Sequence, residues 1–95
     1  MKDLTQVRAE LDAVDRDMVA LLEKRMGLAL DVAAYKSAHG LNVLDAGREA
    51  AVLDSRCAYL HDARWEPDVR AVYETIMARS RGAQAAWIKE ADKHD

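Results

Sequence analysis

Residues 4–39 constrain the chain more than any other stretch. Leu4, Leu11, Val14, Met18, Leu21, Leu22, Met26, Ala29 and Val32 recur there at helical steps, and no proline interrupts them. The spacing predicts one helix of roughly ten turns, about 50 Å long at 1.5 Å per residue. Three cations ride on it: Arg8, Arg25 and Lys36. Lys36 follows Arg25 by eleven positions. At about 100° per residue the two side chains therefore leave the helix on nearly the same side. Arg8 precedes Arg25 by seventeen positions, which is about 25 Å along the axis and about 100° around it. A small metabolite reaches Arg25 and Lys36 together, but not Arg8 of the same chain. If all three serve one ligand, Arg8 comes from a second chain.

The ends of this helix are marked. Asp3 is placed to cap it, with Gln6 as the capping-box partner. Gly40 suits the left-handed position just past its end. Gly27 inside it costs about 1 kcal/mol relative to alanine; it fits either an exposed site or the close approach of another helix. Residues 41–44 form a short connection. Asp45 is placed to cap a second helix carrying Arg48, Glu49, Val52, Leu53, Arg56, Tyr59 and Leu60, expected to end near His61 and Asp62. Trp65, Glu66, Pro67 and Asp68 open a third helix, with Pro67 in its first turn. Its stripe is Val69, Tyr73, Ile76, Ser80 and Trp87, with Gln84 in line. Ser80 and Gln84 lie on the same face as Ile76, and polar groups buried there require partners. The expected fold is all-α: one long helix and two shorter ones in a single domain over residues 1–95. Its core spans about residues 4–87, and the charged tail, residues 88–95, is expected to fray from Lys89 onward.

Composition narrows the function. The chain has 95 residues, 51% apolar and 33% charged, which describes a soluble helical protein rather than a disordered one. A 50 Å helix, at about 1.5 Å per residue, is longer than a compact domain of this size needs, and pairing with another chain is the natural remedy. The formal net charge is −3 and no helix shows a basic stripe, so nucleic acid is not the expected partner. No run is apolar and long enough to span a membrane, and the first residues carry no apolar leader. Cys57 is the only cysteine, so no intrachain disulfide forms; it is read as a packed or idle thiol. These features lead to the expectation of a cytoplasmic protein. His39, His61 and His94 fall at element ends and not at ligand spacing, so no metal site is expected. No glycine-rich phosphate loop and no nucleophile elbow are present, and no cofactor is expected.

The polar residues on or beside apolar faces are Arg8, Arg25, Lys36, Asp45, Arg48, Glu49, Ser80 and Gln84. Cations dominate, so an anionic ligand fits them. Two guanidinium forks suit two carboxylates. Lys36 and Gln84 are donors of the kind that meet an oxygen carrying partial negative charge. Glu49 accepts, and suits a ligand hydroxyl. The same residues also fit an ordinary solvated face with ion pairs one turn apart. Residue types and spacing lead to a helical oligomer able to bind a dicarboxylate, and no further.

In order, the chain carries Val7-Arg8-Ala9-Glu10-Leu11-Asp12-Ala13-Val14-Asp15, Leu21-Leu22-Glu23-Lys24-Arg25, Val32-Ala33-Ala34-Tyr35-Lys36, Asp45-x-x-Arg48-Glu49 and Ser80-x-x-x-Gln84. In these stretches it resembles the all-helical chorismate mutases, from about Leu4 to Trp87. The resemblance implies an intertwined homodimer with two shared pockets. Each pocket would receive Arg8 from the partner chain, and Arg8 and Arg25 would hold the two carboxylates of chorismate. Lys36 and Gln84 would donate to the ether oxygen, and Glu49 would accept from the ring hydroxyl. Asp45, Arg48 and Ser80 would complete the wall. The implied reaction is the pericyclic rearrangement of chorismate to prephenate in phenylalanine and tyrosine biosynthesis, without cofactor, nucleophile or acid–base step.

The chain departs from the family pattern at Ala46-Gly47, where relatives often carry an aspartate and a proline, and at Gly82 inside the third helix. Gly47 is expected to loosen the helix start that places Arg48 and Glu49. Isochorismate pyruvate lyases and aminodeoxychorismate mutases share the scaffold and are the alternative expectation. Glu49 distinguishes this chain from them, because those relatives tend to lack a glutamate there. A non-catalytic helical regulatory protein is the alternative of another class. The length leaves no room for the dehydratase or dehydrogenase domains fused to some relatives, so action is expected to stop at prephenate.

Overall fold

The computed structural model describes residues 1–93 and is all-α. Helix α1 spans Leu4–Ala38, α2 spans Ala46–Ala58 and α3 spans Glu66–Asp92, with a short 3₁₀ turn at Ala63–Trp65 leading into α3. Among the described residues there is no strand.

Each helix end has a local cause. Asp3 Oδ1 accepts from the Gln6 backbone N–H at 2.9 Å and starts α1. A surface pair between Lys2 and Glu10 spans its first turns. At the other end Gly40 takes φ +66°, the Leu41 N–H donates to the Lys36 carbonyl at 2.8 Å and the Gly40 N–H donates to that of Ser37. These bonds close the last turn and satisfy carbonyls that the helix cannot. Asp45 Oδ1 accepts from the Arg48 N–H at 2.9 Å and starts α2. The helix start expected to be loosened by Gly47 is thus fully formed, and α3 runs unbroken through Gly82.

Two boundaries differ from expectation. Helix α2 ends at Ala58 rather than near His61, because Asp62 is used elsewhere: its carboxylate caps the 3₁₀ turn by accepting from the Arg64 N–H at 3.0 Å. The tail expected to fray from Lys89 is helical through Asp92. Of the residues in that expectation, His94 and Asp95 lie outside the described ones.

Helix α3 is the shared support. Helices α1 and α2 each pack on α3 and not on each other. Small side chains make the close approach possible: Ala33 of α1 is completely covered and Ala29 is buried, as are Val52 of α2 and Met77 of α3. Arg70 of α3 holds α2 from the far side, reaching Asp54 at 3.4 Å and Glu66 at 3.2 Å. The hydrogen bond to Glu66 is the main cause of a raised Arg70 pKa.

Apart from the half-buried Met26, the remainder of the apolar stripe on α1 is exposed. Leu11 is 52% exposed, Met18 58% and Leu21 65%. The chain presents 7523 Å² of accessible surface, whereas a compact monomer of this mass presents about 5500 Å². Its radius of gyration is 17.0 Å, against about 12–13 Å for a compact domain of the same length.

Two glycines, Gly27 inside α1 and Gly40 just past its end, give opposite expectations for one substitution. A Cβ at Gly27 would meet nothing within 4 Å, so Gly27→Ala should stabilise by up to about 1 kcal/mol through helix propensity. Gly40 holds a left-handed φ, so Gly40→Ala should destabilise by about 1 kcal/mol. Urea unfolding followed by circular dichroism measures both.

Candidate active site

Because α1 and α2 lean on α3 without touching each other, a cleft opens between them, with α3 as its floor. Its volume is about 350 Å³. Arg25 and Lys36 of α1 line it, with Asp45, Arg48, Glu49 and Arg56 at or on α2 and Ser80, Arg81 and Gln84 of α3. Leu28, Val32, Val43, Val52 and Met77 supply apolar wall.

The polar groups are held in place. Arg25 Nη1 donates to Ser80 Oγ at 3.1 Å, and the Ser80 hydroxyl donates to the Ile76 carbonyl at 2.9 Å. Ser80 is buried, so its two bonds leave the serine satisfied and the arginine aimed. The Arg25 guanidinium also sits 5.9 Å from the Tyr73 ring centroid, where the ring's electron-rich face attracts it. Lys36 Nζ donates to the Val43 carbonyl in the α1–α2 connection at 2.7 Å. One of its three N–H donors is thereby used and the others stay available. Glu49 Oε1 accepts from Arg81 Nη1, a pair that joins α2 to α3 across the cleft.

Gln84 has a different character. It is buried, and its Oε1 has no hydrogen-bond partner. Among the described residues it is the only buried side-chain oxygen or nitrogen left so. An unpartnered buried amide is costly in a finished core. Gln84 also lines the cleft, and its side-chain amide N–H2 is the group able to donate there.

Electrostatics select the ligand's sign. Five cationic side chains and two carboxylates line the cleft, in a chain whose formal net charge is −3. Confined by apolar walls, such an excess attracts a small anion more strongly than the same charges spread over a surface.

Of the residues singled out from the sequence, Arg25, Lys36, Asp45, Arg48, Glu49, Ser80 and Gln84 meet in this cleft. Arg8 does not: it is exposed on the N-terminal half of α1, outside the lining. Sequence reasoning missed Arg81 and the walls from Val43 and Met77. A signal for Arg81 was present, since it follows the buried Met77 by one turn and precedes Gln84 by three positions on α3.

The geometry is a helical scaffold with a cation-rich cleft floored by α3, an arrangement suited to a small organic anion. The chain belongs to the type II chorismate mutase family, whose family model matches residues 7–85 and so includes every candidate site residue. It is 37% identical to a 4-amino-4-deoxychorismate mutase of Streptomyces venezuelae over 60 residues, 63% of this chain and 58% of that protein. It is 38% identical to a T-protein of Haemophilus influenzae over 56 residues, 59% of this chain and 15% of that protein. A second 4-amino-4-deoxychorismate mutase, from Streptomyces pristinaespiralis, is 28% identical over 86 residues, 90% of this chain and 67% of that protein. The chain thus covers less than two thirds of the first two relatives. No solved structure gives a significant match.

Proposed function

We propose that this protein is a chorismate mutase that rearranges chorismate to prephenate in a pocket shared between two copies of the chain. The observation that carries the reading is the convergence of Arg25, Lys36, Glu49, Ser80 and Gln84 on one cleft. In a concerted rearrangement one C–O bond breaks as one C–C bond forms. The protein has two tasks: to hold the folded conformer, and to stabilise the negative charge that grows on the ether oxygen. Arg25, fixed by Ser80, takes one substrate carboxylate. Lys36 from the α1 wall and Gln84 from the α3 floor donate to the ether oxygen. Glu49 accepts from the ring hydroxyl, and Asp45 and Arg48 close the α2 side.

The second carboxylate needs a further cation, and Arg8 of a second copy supplies it. The uncovered stripe Leu11, Met18 and Leu21 and the excess accessible surface support pairing through α1. The distance of about 25 Å between Arg8 and Arg25 along the axis supports delivery in trans. A second reading replaces chorismate by its 4-amino analogue; the two Streptomyces relatives favour it. Glu49, an acceptor for a hydroxyl, favours chorismate.

The deciding experiment follows the loss of chorismate absorbance with purified protein and identifies the product by mass spectrometry. Prephenate is expected; persistence of chorismate refutes the reading. Gln84→Glu should be active only in acid, since a glutamate donates to the ether oxygen only when protonated. Its kcat/KM should fall by about 100-fold or more between pH 5 and pH 8, the usual cost of losing one such donor. Arg8→Ala and Arg25→Ala should each be nearly inactive. Mixed and allowed to exchange subunits, they should recover about a quarter of wild-type activity, because half the dimers then hold one intact pocket of two.

A further inference from the structure

Arg81 has no part in the roles assigned above, yet it is built into the cleft. Its side chain is 34% exposed and that of Glu49 is 24% exposed, and the two are bonded across the α2–α3 gap. Glu49 Oε1 is taken by this bond, while Oε2 remains free to accept from a ligand.

The pair changes what Glu49 offers. A lone half-buried carboxylate attracts a cation far more strongly than a neutral donor. Paired with a guanidinium, the same carboxylate keeps its lone pairs but loses its net charge. A hydroxyl placed against Oε2 then forms its bond without electrostatic cost. An ammonium in the same place gives up its hydration, meets no net counter-charge and lies close to the guanidinium of Arg81. The other charges around the cleft add to this: Arg48, Arg56, Lys36 and Arg25 are cationic, and only Asp45 opposes them.

We infer that Arg81 is a specificity-determining residue: by neutralising Glu49 it sets the pocket for a substrate with a neutral hydroxyl, and against one with a cationic amino group, at the ring position Glu49 contacts. The inference rests on the mutase reading above.

The test compares kcat/KM for chorismate and for 4-amino-4-deoxychorismate at pH 7.5 in the wild type, Arg81→Met, Arg81→Gln and Arg81→Lys, with circular dichroism to establish folding. The wild type should prefer chorismate. Either neutral variant that folds should shift the ratio toward the amine by about tenfold or more, as expected for removing one charge a few ångströms away in a half-buried site. Arg81→Lys, which keeps the charge, should hold the wild-type ratio to within about threefold. A folded neutral variant in which both substrates lose equally overturns the inference and leaves the mutase reading intact. So does a wild type that prefers the amine while still making prephenate from chorismate. A wild type that turns over neither substrate overturns both.

Discussion

The fixed rise of one helix governs this molecule. Because α1 stays helical for 35 residues, the separations among its cations are set by geometry and cannot relax. Arg25 and Lys36 stand about 16 Å apart along the axis on nearly one side, within mutual reach of long side chains, whereas Arg8 lies beyond it. The small surface at Ala29 and Ala33 then fixes how closely α3 approaches. That approach brings Ser80 beneath Arg25 and Gln84 into the same cleft. The length that organises the site also leaves most of α1 beyond the reach of α2 and α3.

The site is rigid where charge must be aimed. Arg25 is tied to Ser80 and Ser80 to the backbone of its own helix. Lys36 is tied to a main-chain carbonyl, and Glu49 to Arg81. Much of the ordering of these long side chains is therefore completed during folding rather than on binding, which favours affinity and a defined geometry. Gln84 is buried, with its Oε1 left without a hydrogen-bond partner.

Local chemistry was the part of this structure legible in the sequence. The period of α1, the caps at Asp3 and Asp45, the left-handed turn at Gly40 and the burial of Ser80 and Gln84 all follow from spacing within one helix turn or one loop. What escaped depends on partners far apart in the chain or on competing local options. The Glu49–Arg81 pair joins residues 32 positions apart, a separation on which no helical period reports. The early end of α2 was hidden because Asp62 had two plausible roles, and capping the turn before α3 won. The stripe on α1 identified the apolar side correctly but carried no information on what covers it. That is why a pattern of nine apolar residues corresponds to so few buried ones in the single chain.

The connection between α1 and α2 carries a consequence for how such a sequence tolerates change in length. Surface loops usually accept an added or deleted residue at little cost. Here five short steps of chain do three things in register: Gly40 turns the backbone, Val43 presents its carbonyl to Lys36, and Asp45 caps α2. One residue more or less would withdraw the carbonyl from the lysine and rotate the first turn of α2, and Arg48 and Glu49 with it. Indels that would be silent elsewhere on this surface are therefore expected to be disruptive between Gly40 and Asp45, and the loop's length is under stronger constraint than the identity of most of its residues.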